Sequence, residues 1–110
     1  MATDREFVED VLDRMLPLEV SSRAMFGGYA LYLRGKTFAL IGDNQLFIKI
    51  ADAGGELAGR ITKAPPYPGG KPAFRISRRR LDDRDWLIAL VEATTNALPS
   101  PKPKSSRQLP

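Results

Sequence analysis

The segment from Arg23 to Ile50, RAMFGGYALYLRGKTFALIGDNQLFIKI, constrains the fold more than any other part of the chain. It holds three runs in which apolar residues alternate or follow one another, as in β-strands: 29–33, 37–41 and 46–50. Turn-forming residues separate these runs at 34–36 and at 42–45. The segment therefore predicts an antiparallel meander of three strands, with the almost wholly apolar second strand in the middle of the sheet.

Two glycines, Gly27 and Gly28, stand where the first of these strands should begin. Glycine weakens a strand unless the backbone needs its freedom, so the pair predicts a β-bulge or a bend. The alternative is a phosphate-binding loop, which would need a helix N-terminus or a lysine directly after the glycines. Neither follows in the sequence, and we favour the bulge.

A helix is predicted before the meander. The pattern Thr3-x-x-Glu6 is typical of a capping box. The apolar residues that follow share one stripe of a helix: Phe7, Val8, Val11, Leu12 and Met15. Proline cannot continue a helix, so Pro17 should end it. The residues 21–25 that follow are interpreted as a lead into the first strand.

Weaker patterns follow the meander. Residues 56–61 predict at most a marginal short helix, because glycines lie before and within it. Prolines between 65 and 72 permit only a short edge strand. Residues 73–77 predict a fourth strand, with Phe74 and Ile76 on one face and Arg75 on the other. A last helix should begin with Asp82 or Asp83 as its N-cap and end near Ala97.

These elements predict an α+β fold, in which an antiparallel sheet of the meander plus one or two more strands is covered by the N- and C-terminal helices. We expect one domain over residues 1–98. Residues 99–110 hold prolines, serines and basic residues with little apolar surface, which is typical of a disordered tail.

The composition limits the chemistry. The chain has no cysteine and no histidine, which excludes ordinary zinc sites and Ser-His or Cys-His nucleophiles. A site for Mg²⁺ or Ca²⁺ made of carboxylates alone stays formally open. The residues able to take part in catalysis form no recognisable constellation: Ser21, Ser22, Tyr29, Asp43 and Lys49. We expect neither enzymatic activity nor a cofactor. Without a signal peptide or an apolar run long enough for a membrane span, we expect a cytoplasmic protein.

Positive charge is concentrated late in the chain. Residues 1–20 sum to −4 and residues 60–110 to +7. A candidate nucleic-acid-binding cluster lies in the second range: Arg75, Arg78, Arg79, Arg80 and Arg84, with Lys102 and Lys104 in the tail. The alternative is a solvated strand edge, with Arg78–Arg80 paired to Asp82, Asp83 and Asp85. We favour the alternative, because the aromatic residues typical of single-strand binders are missing.

The meander also carries a family resemblance. The strings Met25-Phe26-Gly27-Gly28-Tyr29-Ala30-Leu31-Tyr32, Phe38-Ala39-Leu40 and Leu46-Phe47-Ile48-Lys49, with Gly35 between the first two, closely resemble the N-terminal domain of the TfoX/Sxy family. The resemblance covers about residues 5–97, and Lys71-Pro72 matches more loosely. The sequence departs from the family at Ala30, where glycine is common, and at 74–78, where a tyrosine-rich strand is usual.

The resemblance implies a two-layer architecture similar to that of secretion chaperones, often dimeric. Full-length relatives regulate natural competence together with a catabolite regulator protein, and carry a second, helical domain that these 110 residues do not include. We therefore expect a regulatory or adaptor module that acts through protein–protein contacts as a homodimer, with a transcription regulator as a candidate partner and nucleic acid as the alternative.

Apolar residues on both faces of the third strand suggest where a partner would bind. One face can pack on the helices, whereas Phe47 and its neighbours would be left for a partner unless a loop or the tail covers them. The candidate partner-binding residues are Phe26, Tyr29, Phe47 and Lys49.

Overall fold

A computed structural model describes residues 4–25, 28–50, 61, 63–66 and 69–98. The helices of this part are α1 (Arg5–Arg14), α2 (Arg78–Leu81) and α3 (Arg84–Ala97). The strands are β1 (Ser21–Met25), β2 (Gly28–Leu33), β3 (Lys36–Gly42), β4 (Gln45–Lys49), β5 (Lys63–Ala64) and β6 (Ala73–Ile76). No helix in the described ranges is long and apolar enough to cross a membrane. The predicted 56–60 portion of the marginal helix and the tail at 99–110 lie outside these ranges.

All strands belong to one antiparallel sheet with the order β1-β2-β3-β4-β6-β5. The α+β prediction is confirmed, and β3 lies inside the sheet as expected. The meander has one strand more than predicted, because Ser21–Met25 is a strand and not a lead-in. β1 escaped notice because four of its five side chains are exposed and carry no apolar alternation. The sequence permitted at most a short edge strand between 65 and 72, and the described residues of that range form none; a two-residue edge strand, β5, lies directly before it.

The meander is held in register by two-residue turns. Arg34 and Gly35 have φ of 52° and 79°, and Asp43 and Asn44 have φ of 51° and 57°. Positive φ at both central residues matches the right-handed twist of the flanking strands. Both turns predicted from the sequence are therefore confirmed.

The core lies between the helices and one face of the sheet. Its strand residues include Leu31, Ile41 and Ile48, each at most 2% exposed. The helices contribute the buried side chains of the apolar stripe on α1 and of α3: Val8, Val11, Leu87, Leu90 and Val91. The sheet and its helical cover therefore form the two layers that the sequence predicts.

The β-bulge of the sheet is at Phe38 rather than at the glycine pair. Leu31 pairs with Ala39 and Tyr32 with Thr37, which leaves Phe38 as an extra residue on β3. As a result Phe38 and Ala39 are both buried in the core. The prediction of a bulge at the glycines is wrong for Gly28, which belongs to a continuous part of the ladder and pairs with Gly42. Gly27 lies outside the described residues.

Helix ends follow the sequence in part. Asp83 is the N-cap of α3 and accepts a hydrogen bond from the Trp86 backbone at 3.2 Å, as predicted. The first described residue, Asp4, is the N-cap of α1 but makes no side-chain cap. Its backbone N–H donates instead to Asn44 Oδ1 at 2.8 Å, which ties α1 to the β3–β4 turn. α2 was not predicted, although Ser77 caps it by accepting from the Arg80 backbone at 3.3 Å.

Two hydroxyl groups on α3 give a stability prediction. Thr94 and Thr95 are fully buried, and in the described part of the chain their Oγ1 atoms have no hydrogen-bond partner. Burying an unpaired hydroxyl is unfavourable, and valine has the same shape without it. We expect Thr94→Val and Thr95→Val each to raise the free energy of unfolding by about 1 kcal/mol. Thermal denaturation should show a rise of about 4–8 °C in Tm for each. Thr94→Ser, which keeps the hydroxyl and loses a methyl group, should lower Tm; equal shifts for Val and Ser would contradict this account.

Candidate functional site

A shallow cleft of about 180 Å³ lies where α1, the β3–β4 turn, the end of β6 and α2 meet. We call it the basic cleft. Its apolar lining comes from Phe7, Ile76 and Leu81, and its polar lining from Asn44, Gln45, Arg75, Ser77 and Arg78. Ile76 and Leu81 are buried parts of the core. Apolar and cationic groups therefore line one cleft.

Local structure places these groups. The pairing of Asp4 with Asn44 is reciprocal, since Asn44 Nδ2 donates to Asp4 Oδ2 at 3.3 Å. It fixes the start of α1, and with it Phe7, against the turn. At the other wall, Ser77 caps α2 directly after β6. That cap turns the chain and brings Arg78 to the same cleft as Arg75.

The predicted basic cluster divides into two groups. The guanidinium carbon of Arg80 lies 4.9 Å from the centre of the Trp86 ring. Arg84 Nη2 donates to the carbonyl oxygens of Asp13 and Leu16, at 3.2 and 3.3 Å. The side chains of these two arginines are engaged in contacts within the fold. The side chains of the others are exposed and make no hydrogen bond or ion pair to the described part of the chain: Arg75, Arg78 and Arg79. Lys102 and Lys104 lie outside the described residues.

The alternative for Arg78–Arg80, pairing with the nearby aspartates, is not found among the described residues. Asp82 accepts instead from Arg14 Nη1 at 2.7 Å. Asp83 is occupied as the cap of α3. The local acidic residues therefore do not neutralise Arg78 or Arg79 through a direct ion pair.

The structure does not bring the four candidate partner-binding residues together. Tyr29 is half-buried and packs against the core, whereas Phe47 and Lys49 lie on the face of the sheet away from the helices. Lys49 is exposed, but Phe47 is only 5% exposed and pairs across the sheet with Leu40 and Arg75. Phe26 lies outside the described residues. Contact between Phe47 and a partner stays a prediction, and it would require this face to be uncovered first.

Part of the cover over that face is described. Ala30, Phe47 and Ala73 are buried there, although none of them belongs to the core under the helices. A Cβ on Gly42, on the same face, would lie 3.5 Å from the Pro66 carbonyl oxygen. The connection between β4 and β6 therefore reaches over this face, as the loop-cover alternative required.

Sequence reasoning missed Arg14, which joins α1 to the end of α2. Its Nη1 donates to the Leu81 carbonyl at 2.9 Å and to Asp82 at 2.7 Å, and its Nε donates to Asp10 at 3.0 Å. The hydrogen bond to Asp82, and to a smaller extent the one to Asp10, raises the pKa of Arg14. The spacing of Asp10 and Arg14 in the sequence signals only an ordinary helix pair. The hydrogen bonds from Arg14 to Leu81 and Asp82 join residues far apart in the sequence, so only the folded structure shows them.

We expect Arg14→Ala to lower the free energy of unfolding by about 1–2 kcal/mol, since it leaves a part-buried carbonyl and a carboxylate without their donor. Arg5→Ala is the control. The side chains of Arg5 and its ion-pair partner Glu9 are 70% and 65% exposed, so losing this pair should change the midpoint little. Urea denaturation measures both. Equal loss for the two variants would show that the α1–α2 bonds do not matter to stability.

The chemistry of the basic cleft is that of binding. Arginine forms paired hydrogen bonds with carboxylates and phosphates, and apolar walls take up side chains. Ser77 is occupied as a helix cap and has no base beside it in the described cleft lining. Among the described residues there is no group of three or more His, Cys, Asp or Glu that could hold a metal ion.

Comparison with known proteins agrees with the fold. The family model of the TfoX N-terminal domain matches residues 12–98, from within α1 to the end of α3. An uncharacterized 12.7 kDa protein in the trpE 5′ region of Spirochaeta aurantia is 34% identical over 108 residues. The match covers 97% of this chain and 93% of that protein. The chain therefore belongs to the TfoX N-terminal domain family.

Proposed function

We propose that this protein is a non-enzymatic regulatory or adaptor module that binds an acidic segment of a partner protein in the basic cleft. The observation that carries the proposal is the combination of Arg75 and Arg78, both exposed, with an apolar lining in one small depression. Membership of a family whose full-length relatives resemble competence regulators supports a regulatory role, and a transcription regulator is a candidate partner.

The size of the cleft favours a protein partner over a small molecule. Small-molecule sites commonly measure about 300–1,000 Å³, whereas the basic cleft measures about 180 Å³. That volume suits one or two side chains. Aromatic residues and arginines are enriched in protein interfaces, and Phe7 beside Arg75 and Arg78 offers both.

Charge indicates the nature of the segment. Arg75 and Arg78 have no carboxylate partner among the described residues, so their charges are available to an incoming group. A carboxylate from a partner would gain charge-assisted hydrogen bonds with either guanidinium. An apolar side chain beside that carboxylate would contact Phe7. The expected motif is therefore acidic and apolar residues close together in a partner chain.

The experiment is capture of partners from a lysate of the source cells at two salt concentrations, with and without nuclease. Arg75→Glu and Arg78→Glu should abolish a nuclease-resistant capture, whereas Lys71→Glu makes the same charge change outside the cleft lining and should leave it intact. Captured proteins should then be mapped by crosslinking to the cleft. Capture that is unaffected by both arginine variants would refute the proposal.

A second candidate function is nucleic-acid binding, favoured by three exposed arginines whose side chains have no ion-pair partner in the described ranges, Arg75, Arg78 and Arg79. If they contact three phosphates of a duplex, the slope of log K against log salt should be about −3. Fluorescence anisotropy with a 20-base-pair duplex and a 20-nucleotide single strand measures this. Absence of binding at low salt would remove this candidate, and loss of capture on nuclease treatment would favour it.

A further inference from the structure

The two edges of the sheet differ. β5 forms one edge, but it has only two residues and is followed by Pro65 and Pro66, which have no N–H to donate. β1 forms the other edge with five residues, none of them proline, so the backbone N–H and C=O groups on its outer side can donate and accept. Among the described residues, nothing pairs with the outer side of β1. It is therefore the edge on which a further strand can be added.

β1 also lacks the features that protect exposed edges. Its pairing with β2 is continuous from Ser21 to Met25, without a bulge. It contains no proline and one charged residue, Arg23, and Met25 at its end is 41% exposed. Natural edge strands usually carry proline, bulges or several charges to prevent pairing. Their absence here indicates an edge that takes a partner.

We propose that β1 pairs in antiparallel fashion with β1 of a second copy of this chain, about a two-fold axis perpendicular to the sheet. The two sheets then continue into each other, with both helical layers on the same side. A two-fold axis makes an antiparallel pair of identical strands self-complementary. We call the interface between the two β1 strands (Ser21–Met25 of each copy) the seam. The basic cleft lies outside it, so the dimer would present two clefts.

Other occupants fit the edge less well. The tail has prolines at 99, 101 and 103, which limit any ladder to one side, and its Lys102 and Lys104 would add positive charge beside Arg23. Pairing β1 with β5 of another copy would give a ladder of two residues and an open-ended chain of copies. Of the two edge strands in the described ranges, β1 is the one that offers β1 a complementary strand of equal length.

Charge selects the register of the pair. Opposed residues must share a face, so with this axis a residue can meet itself or one an even number of positions away. An axis at Arg23 would set two like charges directly opposite, which is unfavourable. Moving the axis to Ser22 or to Ala24 avoids this, because Arg23 then lies opposite Ser21 or Met25 of the second copy. Arg23 is diagonal to its own counterpart in both registers, but only the axis at Ser22 also makes it diagonal to Glu19 of the second copy, within reach of an ion pair.

The absence of cysteine allows a direct test. Single variants Ser22→Cys, Ala24→Cys and Ser77→Cys are oxidised with oxidised glutathione at about 100 μM protein, and non-reducing electrophoresis measures the disulfide-linked dimer. With the axis at Ser22, the Cα atoms of position 22 in the two copies lie within the range of a disulfide. The two Ala24 positions are then four residues apart along the ladder, or about 13 Å, beyond that range. Ser77 lies outside β1 and gives the collisional background.

A charge swap tests the same seam without a covalent bond. Light scattering of the unaltered chain should give twice the 12.2 kDa of the monomer. Ser22→Lys should weaken dimerisation by at least tenfold, and so should Ser22→Glu. Their mixture should restore it, because opposite charges then meet at the axis. Circular dichroism checks that both variants stay folded.

Crosslinking at Ser22→Cys well above both controls, together with recovery in the mixture, supports the proposal. A monomeric mass at 100 μM, or crosslinking at Ser22→Cys no higher than at Ser77→Cys, overturns it. A monomer in which the thiol of Ser22→Cys resists labelling assigns the edge to another segment of the chain, which also overturns it. Arg75→Glu lies outside the β1–β1 interface and should dimerise like the unaltered chain. A result against this interface would therefore not count against binding in the basic cleft.

Discussion

Replacing Gly28 by alanine is expected to lower the free energy of unfolding by about 3 kcal/mol, a large share of the stability of a domain of this size. Gly28 pairs with Gly42 where β2 and β3 approach closely. A Cβ at position 28 would overlap the Ile41 carbonyl oxygen, which belongs to the backbone and cannot move aside as a side chain can. Relief would require β2 and β3 to separate and lose hydrogen bonds in the middle of the meander.

The opposing glycine is the matched control. A Cβ at Gly42 would meet the Pro66 carbonyl oxygen at 3.5 Å, an ordinary contact. Gly42→Ala should therefore change stability by no more than about 0.5 kcal/mol, and can gain from the lower entropy of the unfolded chain. Urea denaturation followed by the fluorescence of the single tryptophan, Trp86, measures both variants. Equal midpoints would show that the close approach is not rigid.

The elements with strong periodicity or turn chemistry could be predicted from the sequence. α1 and α3 carry apolar stripes, and the turns carry Gly35, Asp43 and Asn44, which are residues that tolerate positive φ. β1 could not be predicted in the same way. An edge strand with exposed side chains has no reason to alternate, so SSRAM carries no pattern, and only its pairing with β2 defines it.

The bulge was assigned to the wrong place for a related reason. Glycine in a strand permits either a bulge or a close approach, and the sequence does not distinguish them. Gly28 serves the close approach. The bulge falls at Phe38, a residue with no local signal for it. The benefit of that bulge is burial of Phe38 in the core, which depends on distant residues.

The sequence predicted which arginines belong to the candidate site but not the cleft that they line. Their positions in the sequence are adjacent, but tertiary contacts separate them. Arg80 and Arg84 are bound by Trp86 and by the carbonyl oxygens at the end of α1, whereas Arg75 and Arg78 reach the cleft. Phe7 was predicted only as a core residue, and its second role beside the arginines depends on where α1 begins.

Replacing Phe38 by alanine is expected to cost about 3–5 kcal/mol, because it removes a fully buried ring and leaves a cavity. Leu40, two residues along the same strand, is the control. It is half-buried on the opposite face and does not belong to the core, so Leu40→Ala should cost about 1–2 kcal/mol. The gap between the two is a direct consequence of the bulge. A regular β3 would put Phe38 and Leu40 on the same face, and their costs would then be similar.

Because Phe38→Ala could unfold the domain, Phe38→Leu extends the measurement. Leucine keeps most of the apolar contact, so the cost should fall to about 1–2 kcal/mol and a two-state transition should survive. Urea midpoints of all three variants, with m-values compared to check two-state unfolding, give the ranking. Similar costs for Leu40→Ala and Phe38→Ala would mean that β3 is paired without the bulge. In that register, part of β3 would exchange the side chains that face the core with those that face the opposite side of the sheet, beneath Pro66.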